Sequence, residues 1–334
     1  MEYTRLGRSN LQVSKICLGT MHFGSRTPEA EAFAIMDAAL DMGINFFDTA
    51  NVYGGRPNTG RTEEIIGRWL QQGGNRRDRV VLATKVYGAM VPHPGPNEGG
   101  GISAFKVRKH ATDSLRRLQT DHIDLYQVHH FDRTITAEEF WRTFERLEED
   151  GDILYVGTSN FPGWGLTKFQ MAAWQRGLVG LVSEQTQYNL LNRIPELEVL
   201  PAAKAMGIGV IPYMPLAGGL LTGRKIVQPG SRTADVWAEY GFSDDRQPQL
   251  DAFSELCAEL GEPEHVVANA WALAHPAVDS VIVGVRTLQH LEGLERSASL
   301  QLDAETMSRL DAIFSINHGR PLKSSTPAPE AYAW

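Results

Sequence analysis

The chain is poor in the features that mark several protein classes. It has two cysteines, Cys17 and Cys257, in 334 residues. They make no metal-type spacing and at most one disulfide, so free thiols in a cytoplasmic protein are the simpler expectation. No run approaches the ~18 apolar residues of a membrane span. The opening MEYTRLGRSN lacks the apolar core of a signal peptide. Lys and Arg number 32 against 40 Asp and Glu, a net charge of −8. A nucleic-acid surface or a polybasic membrane anchor needs clustered cations, and this balance argues against both. No G-x-G-x-x-G follows a strand to open a helix, which speaks against a Rossmann fold.

What is present is a regular alternation. Hydrophobic residues make up 42% of the chain, ample for a large core. Short apolar runs occur at 16–21, 45–50, 80–86, 122–129, 153–160, 181–189, 208–216 and 280–285. Near-continuous hydrophobicity suits strands buried on both faces of a parallel sheet. Helical patterns lie between them. One is 28–43, with apolar residues at helical spacing and a Gly stop. Another is 62–70, for which Thr62 is a plausible N-cap. Eight strand-then-helix units predict an α/β fold, a (β/α)8 barrel forming one domain over 1–334. The segment 1–15, turning at Arg8-Ser9-Asn10, reads as a hairpin able to plug the barrel floor. Extra helices are expected near 249–260 and 303–315, and a tail over 316–334. The connections 87–104 and 217–248 are long, which in a compact domain marks function or disorder. Both follow the C-terminal ends of strands, the active-site face of a barrel.

Polar residues stand at those ends. Asp48 closes the second strand and Tyr53 follows it. Lys85 closes the third and His129 the fourth. Ser159 and Asn160 close the fifth, and Gln185 lies in the sixth. Singly, each is better explained by capping, snorkelling or packing. Together they bring four ionisable groups to one mouth. Tyrosine has an ordinary pKa of about 10, so it is a poor acid–base group at neutral pH. A nearby Lys⁺ favours the phenolate and lowers that pKa. Asp48 would hold Lys85 charged, and an imidazole can orient a carbonyl oxygen. The set suits delivering a proton to a carbonyl oxygen while something else attacks the carbon.

The stretches LGTMHFG, GINFFDTANVYG, LATKVYG, DLYQVHHFD, YVGTSNF, SEQTQYNLL, IPYMPLAGGLL and VIVGVRTLQHLE resemble the aldo-keto reductases, from residue 18 to 292. The opening MEYTRLG, the segment TDHIDLYQVHHFD and the closing APEAYAW resemble a bacterial branch that includes keto- and enoyl-nucleotide-sugar reductases. The resemblance implies a barrel that binds NADPH across its mouth and transfers hydride to a small carbonyl substrate. It makes Tyr53 the proton donor, tuned by Lys85 and Asp48, with His129 orienting the carbonyl. It assigns Ser159, Asn160 and Gln185 to the nicotinamide carboxamide and Tyr213 to stacking on its ring. It places Gly19, Thr20 and Met21 beside the cofactor, Leu216, Gly218 and Leu220 along the pyrophosphate, and Gly284, Arg286 and His290 at the adenosine end. It also implies departures. Met214 stands where Ser is frequent, His290 where Gln or Arg is, and Leu294 where Asn is, which leaves Arg286 as the main argument for NADPH over NADH.

The substrate pocket is expected to draw on His22, Phe23, Tyr53, Met90, His130 and Tyr188. A nucleotide-sugar would want basic groups, for which Arg56, Arg61, Arg193 and Arg224 are candidates. His129 is expected to orient the carbonyl and His130 to help choose the substrate. Two rivals stand beside this reading. A metal-dependent hydrolase is disfavoured because adjacent strand residues face opposite ways and cannot readily chelate one ion, so no metal is expected. A nicotinamide-binding redox sensor without turnover is the alternative. Oligomeric state is left open.

Overall fold

The computed structural model describes residues 1–55, 57–223 and 246–315. Ten strands are numbered in chain order. β1 (Tyr3–Arg5) and β2 (Gln12–Ser14) pair antiparallel as the predicted hairpin, with Tyr3 opposite Ser14. The other eight are β3 (Ile16–Gly19), β4 (Phe46–Asp48), β5 (Val81–Val86), β6 (Ile123–Val128), β7 (Ile153–Ser159), β8 (Leu181–Gln185), β9 (Gly209–Val210) and β10 (Val281–Gly284). They form one sheet in the order β10-β3-β4-β5-β6-β7-β8-β9, every pairing parallel. The two ends of this order also meet. Val210 N donates to Ala277 O (2.9 Å), Asp279 N to Val210 O (3.0 Å) and Ile282 N to Pro212 O (2.9 Å). The sheet therefore curls into the predicted (β/α)8 barrel.

Helices wrap it at the predicted places. They include Glu29–Asp41, Ala104–Leu118, Ala137–Glu149 and Gly163–Gln175, and the extra helices are Gln247–Leu260 and Ala304–Ile313. Two details differ from expectation. The helix predicted to begin at Thr62 runs Arg61–Leu70 behind Gly60, whose φ of 94° suits glycine. Thr62 lies inside it and donates to the Phe23 carbonyl at 2.8 Å, tying the helix to the barrel rim. The seventh strand, expected over 208–216, shrinks to Gly209–Val210. Pro212 and Pro215 have no N–H to give a ladder, and only Tyr213 keeps an isolated pairing, with Gln187.

Strand alternation divides the core. Ile16, Leu18, Phe47, Leu82, Tyr126 and Val128 face outward and pack with the helices in one large apolar cluster. Cys17, Phe46, Ala83, Leu125, Ile211 and Ile282 face inward and form a second cluster with Leu6 and Val13 of the hairpin. The hairpin thus closes the floor, and Gly7 N donates to the Asp279 carboxylate there at 2.6 Å. Among the described residues no helix is long and apolar enough to cross a membrane. The predicted tail 316–334 and most of the connection 217–248 lie outside the described residues.

Candidate active site

Two residues beyond the inward-facing floor, the same strands change character. Phe46 gives way to Asp48, Ala83 to Lys85, Leu125 to Gln127, Ile211 to Tyr213, and Cys17 and Ile282 to Gly19 and Gly284. A period of two keeps all of these inside the barrel, one layer nearer the mouth.

The centre of that layer is a buried ion pair. Lys85, with no exposure, donates to Asp48 Oδ1 at 2.5 Å and to the Thr49 carbonyl at 2.8 Å. The other oxygen of Asp48 accepts from Gln127 Nε2 (2.9 Å) and Gln185 Nε2 (3.0 Å). A buried charge pair survives when its remaining lone pairs are also met, as they are here. Gln127 owes its place to Gly157 opposite it, where a Cβ would come within 3.1 Å of Gln127 Cγ and 2.4 Å of Ser183 Oγ. Burial alone would lower the Lys85 pKa. The Asp48 charge and hydrogen bond, with Tyr53, outweigh it, and the net shift is upward. Lys85 is therefore a fixed cation.

Tyr53 sits above this pair, with Lys85 Nζ 5.1 Å from its ring centre. The expected lowering of its pKa is not the outcome. Burial pushes the phenol up, Lys85 pulls it down, Asp48 pushes it up again, and the net direction is upward. The tyrosine is a neutral phenol. Its turn is held from behind. Asn51 Nδ2 contacts one ring nitrogen of His110 at 2.9 Å, and Glu98 of the long connection contacts the other at 2.9 Å.

The two histidines lie side by side at the cavity. β6 ends at Val128, so alternation no longer separates His129 from His130. Their rings lie parallel, 4.8 Å apart and 5° from coplanar orientation, and both line the cavity. Tyr53 meets His129 edge-on at 5.8 Å, and Tyr87 meets His130 at 5.1 Å. Burial, and then Lys85, hold both imidazoles down, His129 well below its usual range and His130 at about 4. Both are neutral at pH 7. Among the described residues no group of three His, Cys, Asp or Glu side chains is placed to hold a metal.

A cavity of about 670 Å³ runs outward from Tyr53 and His129. Gly19, Thr20, Met21 and His22 line one side, and Ser159, Asn160, Gln185 and Tyr213 the other. Leu216 and Gly218 continue it to Gly284, Arg286 and His290. Asn160 is a hub, held at a φ of 60°. Its Nδ2 donates to the His129 carbonyl (3.1 Å) and Ser159 Oγ (2.9 Å), while its Oδ1 accepts from the Tyr213 hydroxyl (2.9 Å). Met214 and Ala217 also have positive φ, at 56° and 49°. Non-glycine residues rarely adopt that region, and such conformations cluster at working sites.

Other predicted residues fall elsewhere. Phe23 is wholly buried in the outer core. Tyr188 is buried too, against Trp271 at 4.9 Å, with its hydroxyl on Glu196 at 2.8 Å. Met90 and Leu220 do not line the cavity. Phe23, Met90 and Tyr188 were expected in the substrate pocket and Leu220, from the resemblance, along the pyrophosphate; packing claims Phe23 and Tyr188 instead. Of the basic candidates, Arg61 pairs with Glu29 (3.2 Å) and Glu64 (3.4 Å), and Arg193 with Glu196 (2.8 Å) and Asp311 (2.6 Å). Neither has an uncommitted charge for a diphosphate. Arg56 and Arg224 lie outside the described residues. Two contributors were missed. Gln127 carries no local signal of a role in sequence, and its amide finds one only in reach of Asp48. Asn269 lines the far end of the cavity, fully buried, with its Oδ1 unpartnered among the described residues; in sequence it is one polar residue in an apolar helix.

A (β/α)8 barrel with a buried Lys–Asp pair under a tyrosine at its mouth defines a class of enzyme, and comparison names it. The Aldo/keto reductase family profile matches residues 15–315, and the chain belongs to that family. It is an oxidoreductase. It is 50% identical, over the whole of both chains, to an uncharacterized oxidoreductase, YrpG, of Bacillus subtilis (strain 168). It is 35% identical to a probable voltage-gated potassium channel subunit beta of Oryza sativa subsp. japonica, over 85% of this chain and 87% of the other. It is 31% identical to a versiconal hemiacetal acetate reductase of Aspergillus parasiticus, over 93% of this chain and 96% of the other.

Proposed function

We propose that the protein reduces an aldehyde or ketone to an alcohol with NADPH, Tyr53 delivering the proton. The observation that carries this is a neutral phenol set over a fixed Lys85–Asp48 pair, beside a neutral imidazole, at one end of an elongated cavity. The lining fits such a cofactor in order. Amide and hydroxyl groups of Ser159, Asn160 and Gln185 lie beside the Tyr213 ring, suiting a carboxamide on a flat heterocycle. A backbone stretch around Gly218 follows, then Arg286, suiting an anionic end, with the unpartnered Asn269 Oδ1 nearby. NADPH, when bound, supplies the hydride.

The residues supply the rest. His129, neutral, donates a hydrogen bond that fixes the carbonyl oxygen near the phenol. Tyr53 gives that oxygen its proton as negative charge builds there. Lys85 stabilises the tyrosinate left behind, and Asp48, held by Gln127 and Gln185, keeps Lys85 charged and still. A positioned acid of this kind is worth roughly 10²–10⁴-fold. His130, stacked on His129, is placed to meet the substrate. The paired state of Arg61 and Arg193 favours an uncharged carbonyl compound over a nucleotide-sugar.

The test is NADPH oxidation followed by absorbance with aldehydes, aromatic ketones and keto-sugars, with Tyr53→Phe as control. Turnover of at least one substrate that the control lacks supports the reading. Arg286→Ala should raise the KM for NADPH and leave that for NADH. The similarity to the rice channel subunit favours one alternative, a nicotinamide sensor. It gains if NADPH binds and no carbonyl in the panel is turned over above the control.

A further inference from the structure

Glu184 is fully buried on β8, faces away from the barrel interior and takes no part in the mechanism above. Its Oε1 accepts from Phe161 N at 3.0 Å, and its Oε2 lies 2.5 Å from Thr158 Oγ1. Thr158 Oγ1 is also 3.3 Å from the Ser183 carbonyl. A hydroxyl has one proton to give. Given to Glu184 Oε2, that proton serves the carboxylate; once Glu184 is protonated, the carboxyl proton goes to Thr158 and the hydroxyl turns to Ser183 O. The chain then runs from Glu184 O–H to Thr158 O–H to Ser183 O, with every group satisfied. Phe161 and Thr158 bracket Ser159 and Asn160, so the carboxyl clamps both ends of the turn that holds the His129 carbonyl and the Tyr213 hydroxyl.

We infer that Glu184, as a neutral carboxylic acid, is a positioning residue that sets the Ser159–Asn160 turn for the nicotinamide end of the cofactor. This rests on the NADPH reading above. Burial pushes the carboxyl up to about 8, against the hydrogen bonds that Thr158, Phe161 and Asn160 give its charged form. The elements packed against it carry Tyr155, Lys168, Glu198 and Lys204, and none of these acts on its charge. The sign follows: the neutral clamp is present below about pH 8 and is lost above it. His129, His130, Tyr53 and Lys85 are shifted away from that range. His129 and His130 lose their protons well below, and Tyr53 and Lys85 are shifted upward.

The experiment measures dissociation constants of the whole protein by quenching of tryptophan fluorescence, from about pH 7 to 9.5. One ligand is NADPH, the other 2′-phospho-ADP-ribose, which lacks the nicotinamide. The NADPH constant should rise roughly tenfold, the change expected for one pKa unit of coupling. The 2′-phospho-ADP-ribose constant should stay flat. Glu184→Gln, a neutral isostere, should bind NADPH as the natural protein does at pH 7 and lose the alkaline rise. Glu184→Ala should bind NADPH weakly at every pH. A flat NADPH profile in the natural protein, or an equal rise in Glu184→Gln, overturns the inference. Failure of both ligands to bind at any pH overturns the NADPH reading and the inference with it.

Discussion

The floor and the mouth of this barrel are built from the same strands, two residues apart, and are physically opposite. At the floor Phe46, Leu125, Ile211 and Ile282 close around Leu6 and Val13 in an apolar cluster, with the Asp279 carboxylate held at its edge by Gly7 N. At the mouth Asp48, Lys85, Gln127 and Gln185 hold one another in hydrogen bonds of 2.5–3.3 Å, buried as completely as the floor. The floor gains free energy from apolar area removed from water. The mouth spends desolvation to fix charges, and such a buried pair contributes little net stability unless one partner is removed. The barrel thus separates stability from chemistry along each strand.

Substitutions can break that comparison. Tyr53→Phe should lower turnover by roughly 10²–10⁴-fold, with thermal unfolding close to that of the natural protein; kcat and a melting curve check both. Lys85→Met strands the Asp48 carboxylate and should cost about 3–5 kcal/mol of stability as well as activity. Adding Asp48→Leu to it should restore much of the stability in urea unfolding and none of the activity. Phe46→Ala, at the floor, should cost about 3–5 kcal/mol yet keep kcat per folded molecule within about twofold. A large kcat loss there would show that floor and mouth are coupled.

Two smaller effects sharpen the picture of the histidines. His129→Ala should depress kcat for every substrate. His130→Ala should reorder substrates by up to roughly tenfold, the scale of pocket-shape discrimination. Because burial and Lys85 depress both imidazoles, kcat/KM should show no acid-side break between about pH 5 and 7. A break near the ordinary histidine pKa would mean that an imidazolium works in the site.

Much of this was legible because polar residues interrupt apolar runs where strands end. That position made it possible to see that Asp48, Lys85 and His129 gather at one mouth. Composition and spacing alone predicted the eight-stranded order, the floor hairpin and the two extra helices. Turn and rim residues were less legible. Thr62, Phe23 and Tyr188 are governed by contacts with segments distant in sequence, so their local patterns suggested a cap and a pocket that packing does not make.

The sequence by itself determined which residues face inward, because the pleat obliges alternate side chains to opposite sides. Only the tertiary structure decided how those residues act. The Tyr53 pKa rises because enclosure outweighs the pull of Lys85, a balance no local pattern contains. His129 and His130 share the cavity because β6 stops before them and the chain turns. Glu184 is pushed up to about 8 because the fold buries it completely, although Thr158 and Phe161 pull the other way.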